Sequence, residues 1–280
     1  MGPAPLPAIM VAPNGARRTK ADHPALPVGI AEIVETARAC FAAGAGGIHA
    51  HVRKSDGTHA LDAGLYRELI AELAATVPEM MVQITTEAVG RYSPAQQRAV
   101  VRDVVPAAVS VALREMIPGT ETQAAARFYH WAAEAEIAVQ HILYDPEDVW
   151  RLAGLIAEKV VPASGLTLLF VLGRYAKNQE SDPGDLPPFL AALKEMQSPA
   201  DWAVCAFGRA ETICLAEALK CGGKARVGFE NSLWNGDGVL ARDNAERVGE
   251  IAAVFDRIAR LAPLKTGISS IPKTSNRAPG

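Results

Sequence analysis

Two histidines two residues apart, His49 and His51, stand in the run Ile48-His49-Ala50-His51-Val52-Arg53. The run reads as a β-strand, whose side chains alternate between faces, so both imidazoles are expected on one face. Ile48, Ala50 and Val52 then face apolar packing. Two imidazoles on one face are half of a metal site, and a third ligand must come from elsewhere in the chain. Glu230, at the end of Arg226-Val227-Gly228-Phe229-Glu230, is the candidate. Two His and one carboxylate leave positions open for water or substrate, a pattern that suits catalytic zinc ahead of Fe(II) or Mn(II). If the strand stays extended, Arg226, Gly228 and Glu230 share a face. A guanidinium there implies either a buried ion pair or an anionic, carboxylate-bearing ligand that suits its forked donors.

The whole chain bounds what surrounds such a site. It has 280 residues, 49% of them hydrophobic, and a net charge of −3. That length suits one large α/β barrel or two small domains. The charge balance leaves no electrostatic footprint for nucleic acid or an anionic membrane. The four cysteines, Cys40, Cys205, Cys214 and Cys221, show no Cys-x-x-Cys spacing, so they are expected as reduced thiols. Residues 1–7 lack the basic start and apolar core of a signal peptide. The longest apolar run, Leu166–Leu172, is far short of the ~20 residues of a membrane helix. The expectation is a cytoplasmic protein with small-molecule partners.

Short apolar runs alternate with longer amphipathic segments throughout. Strands are expected near Ala8–Ala12, Gly47–Arg53, Met80–Thr85, Ala107–Leu113, Ile137–Leu143, Leu166–Leu172, Trp202–Ala206 and Ala225–Gly228. Helical patterns lie near Ile30–Ala43, Ala63–Thr76, Pro94–Val104, Glu121–Glu134, Pro146–Lys159, Leu186–Met196, Ala210–Lys220 and Asp243–Leu261. Ser93-Pro94 and Asp145-Pro146 each place a capping side chain before a proline at the first helical position. Gly44 and Gly222 follow two helix ends, where a left-handed residue is wanted. The spacing of about thirty residues per strand–helix unit matches a βαβ array, and eight such units close into a (β/α)8 TIM barrel. A doubly wound open sheet is the alternative, but no Gly-x-Gly-x-x-Gly follows the first strand. No linker divides residues 1–264, while 265–280, rich in Ser, Pro, Lys and Gly, reads as a tail or an arm on a neighbouring subunit.

In such a barrel the active site lies at the carboxyl ends of the strands. Strands 8 and 2 are two places apart, roughly 10 Å between backbones, so a Glu from one and two His from the other can share an ion. Other strand ends offer Asn14, Thr85, Thr86, Glu87, Ser110, Glu115 and the backbone of Gly173. Hydroxyls and backbone N–H groups of this kind can hold a carboxylate. His23, His59, His130 and His141 have no histidine partner at strand spacing and read as surface or packing residues.

Several segments together resemble the β-keto acid cleavage enzymes, the 3-keto-5-aminohexanoate cleavage enzyme-like family. They are Pro13-Asn14-Gly15-Ala16, Gly44-Ala45-Gly46 ahead of His49-Ala50-His51-Val52-Arg53, Asp56-Gly57, Gln83-Ile84-Thr85-Thr86 and Arg226-Val227-Gly228-Phe229-Glu230-Asn231. The resemblance implies a TIM barrel with one zinc per chain on His49, His51 and Glu230, assembled as a homo-oligomer, a tetramer or dimer. It implies that a β-keto acid and acetyl-CoA give acetoacetate and a new acyl-CoA by retro-Claisen chemistry. Arg226 would match the family's active-site arginine, and Thr85 its substrate-binding Ser or Thr.

Two positions depart from the family pattern. Where the family commonly has an Asp base after the zinc-ligand Glu, this chain has Asn231, and where it often has a supporting Glu on strand 5 the nearest match is Gln140. An amide accepts no proton as a carboxylate does. Glu87 and Glu115 are the nearest candidates for a relocated base. At Asn14 some members carry an acidic residue that reads a substrate amino group, so Asn14 argues against a cationic amino-keto acid. The rival readings are a metal-dependent hydrolase on the same barrel and a non-catalytic, carboxylate-binding barrel.

Overall fold

Eight parallel strands pair in chain order and close on themselves: β1 (Ile9–Val11), β2 (Gly47–Ala50), β3 (Met81–Thr85), β4 (Ala108–Ala112), β5 (Ala138–Leu143), β6 (Thr167–Leu172), β7 (Asp201–Ala206) and β8 (Lys224–Val227). The computed structural model describes residues 5–261, so the expected tail or arm at 265–280 lies outside the described residues. Helices α1 (Ile30–Ala42), α2 (Ala63–Thr76), α3 (Pro94–Val104), α4 (Leu113–Met116), α5 (Gln123–Glu134), α6 (Pro146–Ala157), α7 (Leu186–Met196), α8 (Glu211–Lys220) and α9 (Asn244–Leu261) surround the strands. This is a single (β/α)8 barrel rather than an open sheet. The closing pair is β1 with β8, where Met10 stands opposite Arg226.

The strands behave as sequences covered on both faces should. Every residue of β6 is buried, and the outward residues Ile48 and Ala50 of β2 join the main core between sheet and helices. Helix starts follow the expected chemistry. Ser93 accepts a hydrogen bond from the Gln96 N–H, and Asp145 from the Asp148 N–H, each ahead of a proline in the first turn. Gly44 (φ 111°) and Gly222 (φ 85°) take the left-handed conformation after α1 and α8.

Four strands, β1, β2, β4 and β8, end earlier than expected, and the last three do so for identifiable reasons. β2 stops at Ala50 because the Asn14 side chain replaces the sheet ladder at His51. It donates to the His51 carbonyl (2.9 Å) and accepts from the His51 N–H (3.3 Å). β4 stops at Ala112 because the chain turns directly into the short α4. β8 stops at Val227 because Gly228 takes φ 137° and starts a turn, so the extended geometry expected through Glu230 does not persist. Within the turn the Asn231 and Ser232 N–H groups donate to the Gly228 carbonyl.

That turn is fixed from four sides. The Glu230 N–H donates to the Ala12 carbonyl (3.0 Å). The Gly228 N–H donates to Glu211 Oε1 (3.2 Å), and the Phe229 N–H to Asn244 Oδ1 (2.9 Å). Arg18 donates to the carbonyls of Phe229 and Asn231. Glu211 is in turn held by Arg247 at 2.7 Å, both side chains fully buried. A Cβ at position 228 would sit 2.6 Å from the Ala12 carbonyl oxygen. Gly228→Ala therefore combines a backbone clash with a left-handed φ, and is expected to destabilise the fold by about 1–3 kcal/mol, read as a lowered urea midpoint.

Candidate active site

At the carboxyl end of the barrel His49, His51 and Glu230 converge. His49 comes from β2, His51 from the residue just beyond it, and Glu230 from the turn after β8. The two Nε2 atoms are 3.1 Å apart, and each lies 3.6 Å from a Glu230 carboxylate oxygen. One ligand atom from each residue lies within 4.8 Å of the others. Both imidazoles are buried. The absent Cβ of Gly15 makes room for the acid, since a Cβ there would lie 2.6 Å from Glu230 Cγ.

The protonation states suit a cation. Burial, then the nearby Arg226 guanidinium, push His49 well below its usual range, so it is neutral and able to ligate. Burial alone would raise the Glu230 carboxyl, but the Arg226 guanidinium 3.7 Å away overrides it and holds the acid ionised. The tautomer of His49 is dictated by a chain of hydrogen bonds across the barrel interior. The Leu168 carbonyl can only accept, so it receives the Gln140 amide NH2 (3.2 Å). Gln140 Oε1 then accepts from Gln83 Nε2 (3.0 Å), which leaves Gln83 Oε1 facing His49 Nδ1 at 2.8 Å. His49 must donate from Nδ1, so its Nε2 lone pair points at His51 and Glu230. Glu230 Oε2 and His51 Nδ1 are buried without a hydrogen-bond partner. A tautomer-locked imidazole, a second imidazole and an ionised carboxylate aimed at one point fit a divalent metal.

A cleft opens beside this cluster. Its wall includes Asn14, His49, Thr85, Glu87, Arg226 and Glu230 from the sequence-derived set. Arg226 is 4% exposed, and its Nε and Nη1 have no partner; Nη2 lies 3.7 Å from Glu230 and 3.5 Å from Cys205 Sγ. Glu87 stands 3.8 Å from His51 Nδ1 and 3.7 Å from Arg174 Nη2. Thr85 Oγ1 accepts from the Glu87 N–H at 3.0 Å, which leaves its own hydrogen free.

The remaining candidates lie behind this wall. Thr86 donates to the Ser110 carbonyl (3.0 Å), while the Ser110 hydroxyl is buried without a partner. Glu115 accepts from the Ala88 N–H and from Gln97, both at 2.9 Å. Gly173 (φ 77°) packs against the backbone of Ser181. The Asn231 amide is fully buried with neither atom hydrogen-bonded, and it does not reach the cleft. His59 is not isolated: its ring lies 5.1 Å from that of His51, and burial lowers it to about 3. The Asp56-Gly57 turn brings it back by pairing Arg53 with His59, a signal the spacing of histidines alone does not carry. Arg18, Arg174, Tyr144 and Phe207 also line the cleft and were not marked as site residues by their sequence context.

The chain is similar to known proteins over nearly its whole described length. A family model described as "beta-keto acid cleavage enzyme" matches residues 8–262. The chain is 25% identical to the 3-oxoadipate:acetyl-CoA acetyltransferase of Cupriavidus necator, covering 90% of this chain and 89% of the relative. It is 26% identical to the 3-keto-5-aminohexanoate cleavage enzyme of Fusobacterium nucleatum, with 90% and 92% covered. Among solved structures, a complex of ObcA with oxaloacetate superposes with a TM-score of 0.64 at 16% identity over 85% of this chain. The chain spans 65% of the length of ObcA, and that likeness concerns the fold.

Removing a ligand should remove the metal. His49→Ala is expected to abolish stoichiometric binding of a divalent ion, measured by elemental analysis. Gln83→Leu, which deletes the acceptor that fixes the His49 tautomer, is expected to weaken zinc affinity by roughly 10–100-fold in chelator competition. Gln140→Leu should shift affinity in the same direction by less.

Proposed function

This chain belongs to the β-keto acid cleavage enzyme family, and on that premise we propose that it condenses a β-keto acid with acetyl-CoA to give acetoacetate and an acyl-CoA. The observation that carries this reading is the pairing, in one cleft, of the His49–His51–Glu230 cluster with a buried Arg226 that keeps two N–H-bearing atoms unpaired. Zinc is the proposed ion, one per chain, on His49, His51 and Glu230; two imidazoles and a carboxylate with open positions support it. Bound there it would act as a Lewis acid toward the oxygens of the keto acid.

The residues of the chain supply the rest. Arg226 faces the negative charge that develops as the keto acid loses its α-proton, in a site dry enough for a fixed guanidinium to matter. Glu87 is the proposed base, since among the described residues it and Glu230 are the carboxylates on the cleft wall, and Glu230 is a ligand. Glu115 has its carboxylate turned to Ala88 and Gln97, and Asn231 holds no acid and does not reach the cleft, so neither supports a proton-transfer role. Asn14 and Thr85 line the same wall and are proposed to contact substrate. Thr86, Ser110 and Gly173 are proposed to shape the wall from behind. The α-carbanion attacks the acetyl carbonyl and expels CoA thiolate; the thiolate adds to the substrate's own keto carbon, and cleavage of the bond between that carbon and the α-carbon releases the acyl-CoA and the acetoacetate carbanion, which takes back a proton from Glu87.

Arg17 on the cleft wall supports an anionic co-substrate such as acetyl-CoA. The four cysteines are all free thiols, which supports a cytoplasmic setting. No described helix is long and apolar enough to cross a membrane. Assembly as a dimer or tetramer is proposed from family membership and is read by light scattering. The test of the reaction is acetoacetate formation from β-keto acids and acetyl-CoA by the metal-loaded protein. Glu87→Gln is expected to lower kcat by about 10²–10⁴-fold with the metal retained; unchanged turnover would remove Glu87 from the proton transfer.

A further inference from the structure

The barrel mouth is divided by polarity along its circumference. The arc formed by β8, β1, β2 and β3 carries Arg226, Glu230, Asn14, His49, His51 and Thr85. The opposite arc, β4 to β7, presents Ala112, Ile142, Val171 and Phe207 to the cleft, with Tyr144, Arg174 and Gln179 lining it from the loops beyond β5 and β6. These four belong to one apolar cluster inside the barrel, together with Leu169, Ala203 and Cys205, and Tyr144 packs against it. Sheet register makes the apolar arc continuous: Ala112 stands opposite Ile142, Ile142 opposite Leu169, and Val171 opposite Cys205.

A β-keto acid carries its charge at one end, and the His49–His51–Glu230 cluster and the unpaired N–H groups of Arg226, which can meet that end, are on the polar arc, while Arg174 across the cleft faces Glu87. The remainder of the molecule, the acyl group later transferred to CoA, must then lie against the opposite arc. Resting on the reaction proposed above, we infer that this acyl group is uncharged and apolar, and that Ile142 and Val171 select it. A charge placed against Ala112, Ile142 and Val171 would leave water with no partner to replace it. The cations nearest that arc are already engaged. Arg174 lies 3.7 Å from Glu87 and stacks 5.1 Å above the Phe207 ring, and Arg18 is spent on the carbonyls of the Glu230 turn. Nor is a carboxylate left for a substrate ammonium among the described residues of the cleft wall, where Glu230 belongs to the His49–His51 cluster and Glu87 faces His51 and Arg174. Asn14 stands at the candidate place, and both ends of its amide are bonded to the backbone of His51. This separates the chain from relatives whose names specify 3-oxoadipate, with a second carboxylate, or 3-keto-5-aminohexanoate, with an amine.

The experiment uses the zinc-loaded protein with acetyl-CoA and three acids: 3-oxohexanoate, 3-oxoadipate and 5-amino-3-oxohexanoate. Acetoacetate is read in each case, and binding of each acid without acetyl-CoA is measured by calorimetry. The expected result is a kcat/KM for 3-oxohexanoate on the order of 100-fold above either charged acid. Ile142→Arg should reverse the order between 3-oxohexanoate and 3-oxoadipate, and Val171→Arg is the second variant should the first not fold. Equal or greater efficiency with a charged acid overturns the inference while leaving the reaction standing. Selective binding of 3-oxohexanoate with no turnover of any acid overturns the reaction and leaves the apolar acyl site standing. Binding that fails to favour 3-oxohexanoate, in the absence of turnover, overturns both.

Discussion

The position of one carboxylate governs the rest of the site. Glu230 is an acid brought into the mouth of a barrel beside two imidazoles, where burial penalises its charge, and it stays ionised because the Arg226 guanidinium lies next to it. Those partners have value only if the carboxylate is held where they converge. The structure therefore spends a set of buried polar groups on the three-residue turn from Gly228 to Glu230, through Ala12, Glu211, Asn244 and Arg18. The fully buried Glu211–Arg247 pair behind the turn illustrates the logic. Such pairs are weak sources of net stability, because desolvation offsets attraction. What this one supplies is a fixed acceptor for the Gly228 N–H, and so a fixed direction for the acid two residues later.

A second constraint acts on the histidines through hydrogen-bond polarity. The Leu168 carbonyl sets the direction of the whole Gln140–Gln83–His49 chain because it has no proton to give. A glutamate at position 140 would put an acceptor against that carbonyl and a second acceptor role toward Gln83. The amide at 140 is thus what this packing requires. Read from sequence against the family pattern, Gln140 looks like a lost acid; in the fold it is a donor and acceptor that orients the His49 imidazole through Gln83. The same substitution at Asn231 has no comparable account, since that amide meets no partner.

The fold was legible because strand and helix periodicities differ and because caps and glycines punctuate them. Ser93-Pro94, Asp145-Pro146, Gly44 and Gly222 each mark a boundary with a local cause that the structure reproduces. The convergence of His49, His51 and Glu230 was legible for a different reason: strand period and barrel closure together specify which ends are neighbours. What local pattern could not carry is anything decided by tertiary contacts. β2 ends at Ala50 because of the Asn14 side chain, thirty-seven residues away from His51. Thr86 follows β3, Ser110 lies within β4 and Glu115 in α4, where Thr86 donates to the Ser110 carbonyl and Glu115 accepts from Ala88 and Gln97. His59 joins the neighbourhood of His51 only through the turn at Asp56-Gly57.

Under the proposed reaction, the location of the base follows from what the two sides of the cluster can offer. On the β8 side, the residue after Glu230 is an amide enclosed by the turn, with its backbone carbonyl taken by Arg18. On the β3 side, Glu87 reaches the cleft wall and approaches His51 Nδ1 from outside the ligand cluster. Arg174 lies against its other oxygen, so the carboxylate has one edge neutralised and the other facing His51. A base must touch the proton it removes without itself being captured by the metal. Glu87 lies on the cleft wall outside the ligand cluster, as such a base requires, whereas Asn231 carries an amide and is not among the residues that line the cleft. The proton-transfer group and the metal can thus be separated around the barrel while the cleft between them stays the same.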